Sequence, residues 1–169
     1  MEQREKKILV IKNLLYFSAV LTLFVIGEIP KLDIMGIKAV PVISAVVAIS
    51  MAEDNLYGGI YGFIAGLMAD TYAAHIFGLA SAVFAVLGFA AGSLVIYLLQ
   101  DNLRTAVILT ASFSGIYGII CHYVLYGMWD VEGGYLFFFF HTVPTVILTS
   151  AFAFPSYWLI KRIKAKISE

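Results

Sequence analysis

The sequence predicts an all-α integral membrane protein, a bundle of about six transmembrane helices with both termini in the cytoplasm. Of its 169 residues, 62% are apolar and only 13% are charged. The average for soluble domains, roughly 45–50%, counts Gly as apolar and leaves Tyr out. Counted in that way, the share in this chain is about 64%. A soluble domain of this size cannot bury so much apolar surface, because much of a small domain stays exposed. The composition therefore favours a lipid environment.

Charge and cysteine content argue against several classes of function. The 11 basic and 11 acidic side chains give zero formal net charge, so there is no basic excess to bind a nucleic acid. The single cysteine, Cys121, excludes a disulfide framework. His75, His122 and His141 are too scattered for a zinc site, which needs three or four converging ligands. With no nucleophile beside a plausible base, the chain is predicted to have no catalytic, cofactor or metal site.

The chain contains six apolar runs. A spanning helix needs about 20 residues, so a chain of 169 residues with short loops accommodates about six spans. The first run follows a basic start and ends at a helix-stopping segment, 27–30, without a small-residue cleavage site. It is therefore interpreted as a retained span and not as a signal peptide. The connections are short, so residues 1–169 are predicted to form one transmembrane domain. The approximate spans are 8–26, 34–52, 56–70, 78–99, 105–128 and 135–160.

The second and third runs are the shortest. Lys38 and Pro41 interrupt the second run, the polar turn 53–55 follows it, and Asp70 closes the third run. These two runs also fit a re-entrant hairpin, which would give four spans instead of six. In both arrangements the termini lie on the same side of the membrane.

The distribution of Lys and Arg predicts the orientation. In membrane proteins these residues are in excess on the cytoplasmic side. With the N-terminus inside, only Lys31 and Lys38 fall on the outer side. The basic C-terminal tail, 161–166, is expected to be attracted to anionic lipids, with binding of a peptide or filament as the alternative. The residues on the cytoplasmic side are Arg4, Lys6, Lys7, Lys12, Arg104, Lys161, Arg162, Lys164 and Lys166.

Small residues recur at helical spacing in the third and fourth spans. Gly58, Gly62, Gly66 and then Asp70 are each four residues apart, so they lie on one helix face. Gly88 and Gly92 repeat the pattern in the fourth span. Such faces let two helix backbones approach closely. The stripe is interpreted as packing within the bundle, with docking of a partner's transmembrane helix as the alternative.

Asp70 is the most informative charge, because ionised carboxylates in membranes usually face a partner, a cavity or the interface. The topology puts it near the outer end of a short helix. A structural role in the 71–78 connection is the first interpretation, and a proton relay or a ligand contact is the second.

The third span also resembles a known family. The segment 62–70, G-F-I-A-G-L-M-A-D, and the segment 77–80, F-G-L-A, resemble the G-x-x-x-G-L-x-x-D and apolar-Gly pattern of the rod shape-determining MreD family. Gly78 belongs to this pattern. The resemblance covers nearly the whole chain, including the basic start, the short second and third spans, and the basic tail.

The resemblance implies a non-enzymatic scaffold in the bacterial inner membrane, within the cell-elongation (rod) complex. It implies binding to an MreC-like bitopic protein, and through it a link between the MreB filament and the peptidoglycan synthases RodA and a class B penicillin-binding protein. It also implies a fold like that of the S-components of energy-coupling-factor transporters.

A small-molecule (vitamin) uptake subunit is the alternative function, because the implied fold is related to S-components. Such a protein would need a polar and aromatic pocket near the outer face. Asp70, His75, Trp129 and Asp130 are the residues that the predicted topology places near that side.

Overall fold

The computed structural model describes residues 2–29, 39–72, 77–124 and 134–168. Within these ranges the chain is helical and forms no β-strand. The helices, in chain order, are α1 (Glu2–Gly27), α2 (Pro41–Ala52), α3 (Asn55–Tyr72), α4 (Leu79–Tyr97), α5 (Leu103–His122), α6 (Gly134–Ala151) and α7 (Ala153–Ser168).

Four stretches of the described chain are long and apolar enough to cross a membrane: Lys6–Gly27, Leu79–Tyr97, Leu103–His122 and Thr142–Lys166. The protein is therefore an all-helical, multi-pass membrane protein. Its outward faces are apolar, since Leu14, Val86 and Ile147 are 67%, 68% and 63% exposed. Large apolar side chains on the outside of a bundle suit a lipid environment.

The last predicted span consists of two helices in the structure. The prediction gave one span over 135–160; in the structure α6 ends at Ala151 and α7 begins at Ala153, and the apolar stretch Thr142–Lys166 runs through both helices. Pro155 explains the break: it has no N–H to donate to the carbonyl of Ala151, and its ring clashes with that carbonyl. Between the two helices, the N–H of Phe152 donates a hydrogen bond to the carbonyl of Thr149, three residues back and not four, at 3.1 Å.

The short helix α2 is the centre of the bundle. All 12 of its residues are buried, and it contacts each of the other six described helices. A helix of that length is about 18 Å long, well short of the roughly 30 Å hydrocarbon core. Pro41 starts the helix, as its missing N–H favours the first helical turn. The predicted span began at residue 34, but residues 30–38 lie outside the described ranges.

One end of the bundle collects the turn between α2 and α3 together with the two terminal helices. Lys12 of α1 contacts Glu53 in that turn, and Lys164 of α7 contacts the carbonyl of Ala52. The α4–α5 connection lies there too, since Asp101 contacts Lys161. We call this the basic end, because these lysines lie there.

Candidate functional site

The glycine stripe of α3 packs directly on α4. A Cβ atom added at Gly62 would lie 2.2 Å from the carbonyl oxygen of Phe84, and one at Gly66 would lie 2.2 Å from the Cα of Ser81. Real Cβ atoms essentially never come within 3.0 Å of another heavy atom. The obstructing atoms are backbone, so a side-chain rotation cannot relieve the clash. Glycine is therefore required for this backbone approach.

The glycines of α4 belong to the same contact. A Cβ at Gly88 would lie 2.1 Å from the carbonyl oxygen of Gly58. At Gly92 it would lie 2.5 Å from the Cα of Asn55. The hydroxyl of Ser50 in α2 donates to the carbonyl of Gly88 at 2.5 Å, which ties the pair to the central helix. The two glycine patterns thus face each other within one chain, and α4 covers the stripe of α3.

Asp70 receives the first amides of α4. Its Oδ1 accepts from the N–H of Ala80 and its Oδ2 from the N–H of Ser81, both at 3.0 Å. The carboxylate is buried, with Asp70 only 4% exposed. The first amides of a helix have no partner inside the helix, and negative charge is favourable there. Asp70 thus caps α4 from the neighbouring helix.

Gly78 explains why α4 is capped by a side chain of α3 and not by its own N-cap residue. It occupies the N-cap position of α4 with a φ of +100° and makes no side-chain cap. L-residues rarely adopt that conformation, whereas glycine does so freely. The motif residues Gly66, Asp70 and Gly78 therefore act together where α4 begins: Gly66 allows the close approach, Asp70 binds the first amides and Gly78 occupies the N-cap position.

An outer pocket is not assembled from the described residues. His75, Trp129 and Asp130 lie outside the described ranges, and both oxygens of Asp70 already accept hydrogen bonds. Among the residues that the structure describes, no three His, Cys, Asp or Glu side chains come together as metal ligands.

A cluster around Glu53 was not predicted from the sequence. Glu53 forms an ion pair with Lys12, and the buried Tyr16 donates to its Oε1 at 2.7 Å. The Lys12 ammonium also lies 5.1 Å from the centre of the Tyr57 ring, a cation–π contact. The hydroxyl of Tyr61 donates to the carbonyl of Asn13 at 3.0 Å. Together these contacts hold α1 against the α2–α3 turn.

The helices α6 and α7 supply polar partners along the buried α2. Thr149 Oγ1 accepts from the N–H of Val40 at 3.0 Å, and Ser156 shares a 2.7 Å hydrogen bond with Ser44. Lys164 donates to the carbonyl of Ala52 at the other end of α2. The spacing of seven and eight residues between these side chains, Thr149, Ser156 and Lys164, is the sequence signal that marks this face. Unpaired backbone groups inside a membrane are costly, so these contacts allow a short helix to be buried.

A comparison with protein-family models matches the rod shape-determining protein MreD over residues 7–163. No curated protein and no solved structure matches the chain. The matched region includes the glycine stripe, the Asp70 cap, the Glu53 cluster, and Thr149 and Ser156 of the polar face. The family supports a role in determining rod shape, and the chain belongs to the MreD family of rod shape-determining proteins.

Proposed function

We propose that the protein is a non-enzymatic scaffold of the cell-elongation complex in a bacterial inner membrane. It binds an MreC-like bitopic protein and, through it, helps to couple the MreB filament to peptidoglycan synthesis by RodA and a class B penicillin-binding protein. The observation that carries this proposal is the family match, which extends over residues 7–163. The proposed orientation has the basic end in the cytoplasm, following the excess of Lys and Arg there.

The internal contacts support a scaffold. Glu53 and Asp70 are both engaged in joining helices, as are the hydroxyls of Ser44 and Ser50. Polar groups used in this way hold the bundle in one arrangement. We also propose that residues 1–169 form a single domain, because α2 contacts every other described helix.

The glycine stripe bears on where a partner can bind. Its closest neighbours are α4 and, at Gly58, also Ser50 of α2, all in the same chain. We therefore propose that the glycines of both helices shape the bundle and that the partner contacts its outer faces; these glycines are Gly58, Gly62, Gly66, Gly88 and Gly92. Helix association in membranes depends on close packing and not on hydrophobicity, because lipid tails are equally apolar. Exposed apolar side chains on several helices are therefore the positions to test.

Photo-crosslinking tests this proposal. A photoreactive residue is placed in turn at five exposed positions, one per helix: Leu14, Phe63, Val86, Ile116 and Ile147. In cells, we expect one or two neighbouring positions to crosslink an MreC-like bitopic protein and the others to crosslink none. The buried Val47 is the matched negative control. Absence of such a crosslink at all five positions, with the protein present at normal levels and rod shape maintained, would contradict direct binding.

Depletion tests the cellular role. Cells that lose the protein should become round, and re-expression should restore rods. Rods of normal width after complete depletion would contradict the proposed role. The uptake function stays a prediction, since no contact among the described residues favours an outer binding pocket.

A further inference from the structure

A cleft of about 320 Å³ opens at the basic end of the bundle, between α2, α7 and the α4–α5 connection. We propose that this cleft binds the headgroup phosphate of an anionic phospholipid. Its volume lies at the lower end of the range for small-molecule sites, roughly 300–1,000 Å³. The residues that line it are Ala48, Ala52, Asp101, Tyr157, Lys161, Lys164 and Ala165.

The charges of the cleft favour a ligand that carries a single negative charge. Lys161 lies 3.7 Å from Asp101, so these two charges largely offset each other. Lys164 donates to the neutral carbonyl of Ala52, and within the described ranges no carboxylate pairs with it. Two ammonium groups and one carboxylate leave a net charge of one positive unit, which complements a monoanionic phosphodiester.

The cleft also offers several hydrogen-bond donors. Lys161 donates to the hydroxyl of Tyr157 at 2.8 Å, and that hydroxyl in turn lies 3.1 Å from an Asp101 carboxylate oxygen. An ammonium has three N–H groups, so Lys161 and Lys164 each retain donors after their internal bonds. Charge-assisted hydrogen bonds of this kind are the strong ones in phosphate recognition. The small side chains of Ala48, Ala52 and Ala165 leave the room for the phosphate.

The position of the cleft favours a lipid over a soluble anion. It lies where α2 ends and where α4 connects to α5, which is the level of helix ends at a membrane surface. Trp158 is an exposed aromatic side chain of α7, the helix that also carries Lys161 and Lys164. Aromatic residues are typical of the membrane interface, and basic pockets between helices on the cytoplasmic side bind anionic headgroups.

Two neighbouring basic residues provide a matched control. Arg162 stacks on the ring of Trp158, 3.6 Å from its centre, and neither Arg162 nor Lys166 lines the cleft. The double variants K161Q/K164Q and R162Q/K166Q each remove two positive charges from the same short segment. A general attraction of the tail to anionic lipids would weaken equally in both, whereas a headgroup site weakens only in the first.

The experiment measures lipid binding to the full-length protein in neutral detergent by native mass spectrometry. The probes are phosphatidylglycerol, phosphatidylethanolamine, inorganic phosphate and a hexaglutamate peptide. We expect phosphatidylglycerol to bind, and the affinity to fall about 30-fold in K161Q/K164Q and less than about threefold in R162Q/K166Q. Gln at position 164 keeps a donor for the carbonyl of Ala52, so the fold is expected to persist. A165L, which fills the cleft without changing its charge, should also weaken binding.

Several outcomes overturn the inference. Equal losses in the two double variants would indicate general surface attraction. Equal affinity for inorganic phosphate would indicate a soluble anion, and tighter binding of hexaglutamate would indicate an acidic peptide. Unchanged phosphatidylglycerol binding in A165L would place the lipid elsewhere. The lipid site does not depend on which partner the proposed scaffold binds. If the lipid-binding test fails, the scaffold proposal still stands or falls by the crosslinking test, and the reverse also holds.

Discussion

Replacing Asp70 distinguishes a structural carboxylate from a functional one. Asp70 accepts two backbone amides of α4, at 3.0 Å each, and hydrogen bonds to a charged group contribute about 1.5–3 kcal/mol each. Asp70→Ala removes both bonds, so we expect it to lower the free energy of unfolding by about 3–6 kcal/mol. Asp70→Asn keeps one acceptor oxygen, so about half of that loss is expected.

Unfolding of the purified protein in mixed micelles, followed by far-ultraviolet circular dichroism, measures this effect. Asp54→Asn is the matched control, because Asp54 is exposed just before the opposite end of α3. We expect the control to change stability by less than about 0.5 kcal/mol. Wild-type stability of Asp70→Ala would refute the capping argument. If Asp70→Asn were fully stable yet failed to restore rod shape in depleted cells, the proton-relay or ligand interpretation would replace it.

The other predictions concern contacts between helices. Gly62→Ala should destabilise the protein strongly, because the added Cβ meets the backbone of Phe84. Gly59→Ala is the control: the atom nearest to its added Cβ is 3.6 Å away, so it should be neutral or stabilising by up to about 1 kcal/mol. Thermal unfolding compares the two variants, and equal effects would contradict the close approach. Glu53→Gln leaves the Lys12 charge without its partner and should lower stability by about 3 kcal/mol. The exchanged pair Lys12→Glu with Glu53→Lys should recover part of that loss in a double-mutant cycle, and strict additivity would rule out coupling. Thr149→Val removes the acceptor for the amide of Val40 and should lower the unfolding midpoint, by about 1–2 kcal/mol in free energy, while Thr149→Ser should retain it; a midpoint shared by all three proteins would exclude that bond as a stabilising contact.

Local patterns in the sequence were sufficient for the class of protein and for the positions of α3 and α4. The runs 56–70 and 78–99 correspond to α3, Asn55–Tyr72, and α4, Leu79–Tyr97, within two residues at each end. Hydropathy and polar turns are read over a window of neighbouring residues, so they locate helices without reference to the fold. The same applies to the glycine spacing, which marks a close-packed helix face before its partner is known.

Which residues contact each other depended on the tertiary structure. Glycine spacing is compatible with packing in one chain or between two, and only the arrangement of α3 against α4 decides that Gly62 meets the backbone of Phe84. In the same way, the Lys12–Glu53 pair joins residues 41 positions apart, and the Thr149–Val40 bond spans 109. No local pattern specifies such pairs, because each depends on how the whole bundle brings distant segments together. The sequence by itself thus determined a membrane-spanning helical chain with a family motif. Its tertiary structure decided that Asp70 of this motif caps the first amides of α4, since a buried carboxylate and unpaired helix amides are stable there only in contact with each other.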